Sequence, residues 1–302
     1  MNRDIQLLDA SLRDGGHRTN FHFKDSELEG IIPTLDHSGI EYIEIGYRNG
    51  SLHPINDLGR AGWCDKEYLL FCCSLIQKAN IAVMAHPKNV SQDDLSELRN
   101  CGVDLLRICV AKSELPSAIA TIKLAKKIGL KTSVNFIHMS YYTNAELDEV
   151  VEEVSKHHPD IIYFADSNGS LLPTRIKEIY DRYVNNYDIP FGFHAHDNIG
   201  LAQANALAAM NSGVRFIDAS LAGMGKGTGN LKTEFFTAYL HAINIKKYDL
   251  EDILNAANFV RDTLKIGHEA IQMDEFIRGV TDLSTADLKS YKEKNLIRPS
   301  SS

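Results

Sequence analysis

The sequence has no apolar run approaching the ~18 residues needed to cross a bilayer. Its first residues, Met1-Asn2-Arg3-Asp4-Ile5, lack the charged-then-apolar pattern of a secretion signal. Long blocks of like charge are also missing, and the formal net charge is −8. That balance argues against nucleic acid or an anionic membrane as a partner. Cysteine is scarce: the five residues Cys64, Cys72, Cys73, Cys101 and Cys109 are odd in number and do not have zinc-ribbon spacing. Four of them fall in apolar, helix- or strand-like segments, where a reduced, packed thiol is the default. A glycine fingerprint of the form GxGxxG does not follow the first strand-like run, which weakens a dinucleotide-binding reading. These absences point to a cytoplasmic enzyme acting on small molecules.

What is present is alternation over 302 residues that are 44% hydrophobic, enough to bury a large core. Short apolar runs of strand length are each followed by a stretch of helical period. The strand runs are Gln6 to Leu12, Tyr42 to Tyr47, Ile81 to Ala85, Leu105 to Val110, Thr132 to Ile137, Ile161 to Ala165, Pro190 to Ala195 and Phe216 to Ser220. The expected helices include Asp25 to His37, capped by Asp25 or Ser26, and Glu67 to Ala79, which follows a longer loop from Arg48 to Asp65. Eight βα units in a row predict an α/β fold, a (β/α)8 TIM barrel over residues 1–247, with an open parallel sheet as the structural alternative. After Lys247 the pattern is purely helical, predicting a short C-terminal helical extension over 248–297 and a disordered tail at 298–302.

In such barrels chemistry sits at the C-terminal ends of the strands. The first strand exits into Ser11-Leu12-Arg13-Asp14-Gly15-Gly16-His17, the seventh through His194-Ala195-His196-Asp197-Asn198, and the eighth into Gly223 to Asn230. Strands one and eight adjoin in a closed barrel, with seven next to eight. His194 and His196 are two apart on a strand and so share a face. Two imidazoles and a carboxylate, for which Asp14 is the best candidate, can form a metal site with open positions. The plain alternative is a pair of hydrogen-bonded histidines. Arg13 is either a salt-bridge partner or a permanent cation that stabilises an enolate oxygen. His17 is either a solvated loop residue or a proton carrier for a hydroxyl. Gly223 to Asn230 reads as a flexible loop or as a close backbone approach to an anion. Asp166-Ser167-Asn168-Gly169 is a turn able to line the pocket, and Arg107 is a buried ion-pair partner or a pocket cation. Asp9, Asp197 and Asp218 read as supporting residues rather than ligands.

The segments Leu8-Asp9-Ala10-Ser11-Leu12-Arg13-Asp14-Gly15, His194 to Asn198, and Gly223-Met224-Gly225 through Gly229-Asn230 resemble the signature of the DRE-TIM metallolyases, over roughly residues 5 to 245. Within that superfamily the chain is most similar to the 4-hydroxy-2-oxo acid aldolases, such as the 4-hydroxy-2-oxovalerate aldolases. It carries His17 where lyases and condensing enzymes typically have glutamine. The resemblance implies Mn2+ or Mg2+ held by Asp14, His194 and His196, Arg13 as enolate stabiliser, and His17 as base on the 4-hydroxyl. It further implies a small 2-oxo acid and an aldehyde as substrates, with Ser167, Gly223 and Asn230 near them.

The aldolases of that family carry a longer C-terminal helical domain, which contributes a pocket tyrosine and docks a dehydrogenase. Here the tail is short and Tyr291 does not match that tyrosine, which counts against a dehydrogenase partner and the usual short-chain substrate. The Arg48 to Asp65 loop, with His53 and Trp63, is a candidate specificity element. A homodimer is compatible with apolar outer helices. The competing functions are an acyl-CoA-dependent condensing enzyme or lyase, a carboxyltransferase, a metal-dependent hydrolase and a non-catalytic barrel.

Overall fold

The computed structural model describes residues 4–52, 54–270 and 272–295. Strands β1 (Gln6–Asp9), β2 (Tyr42–Arg48), β3 (Asn80–Ala85), β4 (Leu105–Val110), β5 (Lys131–Phe136), β6 (Ile161–Asp166), β7 (Phe191–Ala195) and β8 (Phe216–Ala219) close in sequence order into a parallel barrel. Helices α1 (Asp25–His37), α2 (Arg60–Trp63), α3 (Lys66–Ser74), α4 (Gln92–Asn100), α5 (Leu115–Ile128), α6 (Asn144–Ser155), α7 (Pro173–Tyr183), α8 (Ala202–Asn211) and α9 (Thr233–Ala242) connect the strands and follow the last. Three more, α10 (Leu250–Phe259), α11 (Met273–Thr281) and α12 (Thr285–Asn295), make up the helical extension. The barrel is the expected fold. His53 and the 298–302 tail lie outside the described residues.

Strand periodicity stacks the barrel interior in layers. Tyr42, Leu105, Ile161 and Phe216 pack with Leu8, Ala82 and Tyr163 into an apolar plug inside the barrel. Two residues further along their strands the same face carries Glu44, Arg107 and Asp218, all buried. The strands thus run from a hydrophobic floor into a charged layer, and the polar groups lie toward the strand exits. A second, larger apolar core fills the space between barrel and helices.

Local chemistry moves several boundaries away from the sequence expectation. The first strand ends at Asp9 rather than Leu12, because the Asp9 carboxylate accepts the Ser11 N–H at 2.9 Å and the chain turns. The expected helix to Ala79 stops at Ser74, because buried Asp36 accepts the N–H groups of Gln77, Lys78 and Ala79 at 3.1, 2.8 and 2.7 Å. These bonds satisfy amides that would otherwise continue the helix. The cap of α1 is Lys24, not Asp25 or Ser26: Lys24 is extended, and its N–H donates to the Glu27 carboxylate at 2.8 Å. The Arg48 to Asp65 loop contains α2 and is anchored by the Arg48 guanidinium, which donates to the Cys64 carbonyl and the Asp94 carboxylate. All five cysteines are free thiols.

The extension folds back onto the strand exits. Asp282, just after α11, accepts from the Ser140 and Ser170 hydroxyls at 2.8 and 2.6 Å and from the Asn168 amide at 2.8 Å. Asn198, past β7, donates to the Glu275 carbonyl at 2.9 Å. The connections after β5, β6 and β7 are therefore tied to α11.

Candidate metal centre and its surroundings

The turn after β1 is held by two N–H groups, those of Asp14 and Gly15, donating to the Ala10 carbonyl. This curl aims Arg13 and Asp14 toward the barrel axis, and both are buried. His194 ends on the inner face of β7, and His196 lies just beyond the strand. One ligand atom each from Asp14, His194 and His196 lies within 4.8 Å of the others. The structure thus brings together the three residues that the sequence grouped across roughly 180 positions.

The donor set fits a divalent cation. His194 Nδ1 is 3.0 Å from Asp218 Oδ2, so the imidazole donates there and its Nε2 lone pair is left facing inward. That Nε2 is buried and has no hydrogen-bond partner among the described residues. Burial pushes His196 down to about 3, so its ring is neutral and ligand-competent at neutral pH. Burial alone would raise Asp14, but the Arg13 guanidinium beside it, foremost of the neighbouring groups, holds its carboxyl well below the usual range. One carboxylate and two imidazoles form an N/O set suited to a first-row divalent metal or magnesium.

Arg13 fulfils its plain structural reading and keeps donors to spare. Its Nη1 bonds Asp14 at 2.7 Å and its Nε bonds Glu44 at 2.7 Å, while Nη2 makes no hydrogen bond with a described residue. Its guanidinium also lies 5.7 Å from the Tyr47 ring centroid. His17 is not a solvated loop residue: its ring packs at 5.0 Å on Phe21 and 6.1 Å on Tyr47. Burial, aided by Lys226, Arg13 and His86 and opposed by Asp14, lowers it to about 4.

Arg107 proves to be a buried ion-pair partner. It donates to Glu44 at 2.8 Å and to Asp218 at 2.6 Å, and stacks its guanidinium 4.4 Å from the Tyr163 centroid. Glu44 and Tyr47 were not singled out in the sequence, although a lone carboxylate inside the apolar run Tyr-Ile-Glu-Ile was a signal of this role.

The glycine-rich segment does approach an anion, and that anion belongs to the protein. The Lys226 N–H and the Asn230 amide donate to Asp14 Oδ2 at 3.1 and 2.9 Å. The loop closes because Gly229 adopts a φ of +102°, where a Cβ would stand 2.1 Å from the Gly223 carbonyl oxygen. Asn230 therefore positions the carboxylate. Ser167 binds the loop after β5, its hydroxyl accepting the His138 N–H at 2.9 Å. A cavity of about 350 Å³ borders the glycine loop, lined by Arg18, Gly223, Thr228, Asn230 and, from the extension, Glu269 and Phe276. Trp63, half exposed, donates to Leu58 within its own loop and does not line this cavity.

The fold and these groups define a (β/α)8 barrel with a candidate metal centre at its C-terminal face. Comparison makes the class specific: the HMGL-like family model matches residues 4–260, and the chain belongs to that family. It is 31% identical over 294 residues to a 4-hydroxy-2-oxovalerate aldolase of Geobacillus genomosp. 3, covering 96% of this chain and 86% of the relative. It is 29% identical over 256 residues to an oxaloacetate decarboxylase of Mycobacterium tuberculosis, covering 84% and 76%. Among solved structures, the N-terminal domain of a candidate aldolase from Bacteroides vulgatus superimposes with a TM-score of 0.83 at 27% identity, over 95% of this chain and 96% of that one.

Proposed function

We propose that this chain is a divalent-metal-dependent class II aldolase, a carbon–carbon lyase joining or separating pyruvate and an aldehyde through a 4-hydroxy-2-oxo acid. The observation that carries the reading is the meeting of Asp14, His194 and His196 with Arg13 and His17 at one barrel mouth. Mn2+ or Mg2+ held by Asp14, His194 and His196 would supply electrophilic polarisation of the carboxylate and carbonyl oxygens of a 2-oxo acid.

The chain's own groups do the rest. Neutral His17 takes the proton of the 4-hydroxyl as the C3–C4 bond breaks and the C4 oxygen becomes the aldehyde carbonyl. The bonding electrons pass to C3 and the 2-oxo oxygen, giving the enolate of pyruvate. Arg13 faces that developing charge with donors left free by Asp14 and Glu44. Protonation of C3 completes cleavage, and the reverse sequence adds pyruvate to an aldehyde. Loss of carbon dioxide from oxaloacetate would leave the same enolate, which relates this reading to the decarboxylase relative. Decarboxylation has no hydroxyl proton for His17 to remove, so the histidine favours the aldol reaction.

The test is hydrogen–deuterium exchange of the pyruvate methyl group, followed by NMR with Mg2+-loaded protein against a chelated control. Metal-dependent exchange is expected. No exchange with metal demonstrably bound would reject pyruvate as the substrate, and acetyl-CoA consumption with a 2-oxo acid would favour the condensing enzyme instead.

A further inference from the structure

A histidine that moves a proton is usually aimed by a hydrogen bond from its second ring nitrogen to a carboxylate or carbonyl. The His17 imidazole makes no hydrogen bond with a described residue. Two aromatic rings hold its plane instead. Phe21 lies at 5.0 Å and 69°, and Tyr47 at 6.1 Å and 74°, both edge to face. Phe21 and Tyr47 also pack on each other at 5.7 Å, so the three rings form one cluster. Edge-to-face contacts are directional, because the positive rim of one ring seeks the negative face of the next.

Both rings reach His17 through irregular backbone. Glu44 pairs with Ala82 and Tyr47 with Met84, so three steps along β2 match two along β3. This bulge turns Tyr47 onto the inner face that Glu44 occupies, where a regular strand would put Gly46. A Cβ on Gly46 would stand 1.9 Å from the Ala61 carbonyl oxygen, so only glycine lets the bulge lie against α2. Asn20 and Phe21 have φ of +48° and +65°, a left-handed pair that disfavours a bulky phenylalanine. The α2 region pins this pair too: the Gly59 N–H donates to the Asn20 carbonyl at 2.8 Å, and the Ala61 N–H to that of Phe21 at 3.3 Å. Bulge and left-handed turn thus share one brace. Strained backbone of this kind persists where its surroundings over-determine it, and it gathers at working sites.

Tyr47 also faces Arg13, whose guanidinium lies 5.7 Å from the ring centroid, and stacks on His86 at 5.7 Å. Arg13 and His17 depend on this ring unequally. Without it, Arg13 keeps its hydrogen bonds to Asp14 and Glu44, whereas His17 keeps Phe21 alone. Resting on the aldolase reading, we propose that Tyr47 is a positioning residue for His17: its ring, in place of a hydrogen-bonding partner, aims the imidazole at the 4-hydroxyl. The Tyr47 hydroxyl makes no hydrogen bond with a described residue, so phenylalanine preserves every contact the ring makes.

The test uses full-length, Mg2+-loaded protein with Tyr47→Phe and Tyr47→Leu, and Tyr47→Met in place of leucine should that variant not fold. The direct readout is the His17 ring resonances in an aromatic carbon–proton correlation spectrum, assigned by their absence in His17→Ala. Ring currents should hold them away from unfolded-chain values in wild type and Tyr47→Phe, and Tyr47→Leu should move them toward those values. The functional readout is aldol addition of pyruvate to acetaldehyde, beside exchange of the pyruvate methyl group, which moves no hydroxyl proton. Tyr47→Leu should lower kcat for addition about 10- to 100-fold, the cost of a misplaced group. Its KM for pyruvate, metal content and methyl exchange should change little, and Tyr47→Phe should restore most of the rate. The proposal is overturned if Tyr47→Leu leaves the His17 resonances or the addition rate unmoved, if Tyr47→Phe is as slow, or if methyl exchange falls as far as addition. Absence of methyl exchange in wild type would instead reject the aldolase reading, and the resonances would still decide whether Tyr47 holds His17.

Discussion

His194 Nδ1 and Arg107 Nη2 converge on one oxygen of Asp218, at 3.0 and 2.6 Å. The carboxylate thus orients a candidate ligand from the eighth strand while being neutralised from the fourth. Asp218→Asn keeps the shape but removes the charge that fixes the imidazole's tautomer. Mn2+ affinity is expected to fall about 10- to 100-fold, measured by isothermal titration calorimetry. Unchanged affinity would show that His194 is not oriented by Asp218 for binding.

Arg107 is the hub of the charged layer, and losing it leaves Glu44 and Asp218 buried without their shared cation. Arg107→Met is expected to destabilise the fold by about 3–5 kcal/mol, the cost of stranding buried partners. The urea midpoint of unfolding checks this. A midpoint within error of wild type would mean that the carboxylates take up protons or water at little cost.

His17 lies beside the candidate ligands but is not one of the three. His17→Ala should therefore bind Mn2+ with wild-type stoichiometry while aldol cleavage drops by about 10²- to 10⁴-fold, the worth of a positioned acid–base group. Metal content by elemental analysis and a coupled assay for pyruvate release separate the two effects. Cleavage at the normal rate would remove the proton-transfer role.

The pH profile follows from the same residue. Burial and neighbouring cations lower His17 to about 4, so its neutral, proton-accepting form persists well below the ordinary histidine range. The sign is that of a depressed base: activity is retained as pH falls through 6.5 and is lost only as pH approaches the folded value. The acid limb of kcat/KM is expected below pH 6.5, with metal occupancy monitored. Lys226→Ala removes one depressing charge and should move that limb upward. A limb at or above 6.5 in wild type would contradict a desolvated His17.

Chain order and local period determined the run of eight βα units and favoured a barrel, with closure over an open parallel sheet decided by the tertiary structure. Strand-length apolar runs alternating with helical stretches have few compact solutions. The two-residue repeat likewise puts His194 and His196 on one face, and the Arg-Asp-Gly-Gly-His turn marks the neighbouring exit. Only the tertiary structure decided what surrounds them. Glu44, Arg107 and Asp218 meet across 63 and 111 residues of chain, and the Lys226 N–H reaches Asp14 across 212. Asp36 ends α3 from 41 to 43 residues away. Periodicity records which face a residue presents, because that depends on backbone geometry. Which charge it meets there depends on how distant strands register when the barrel closes.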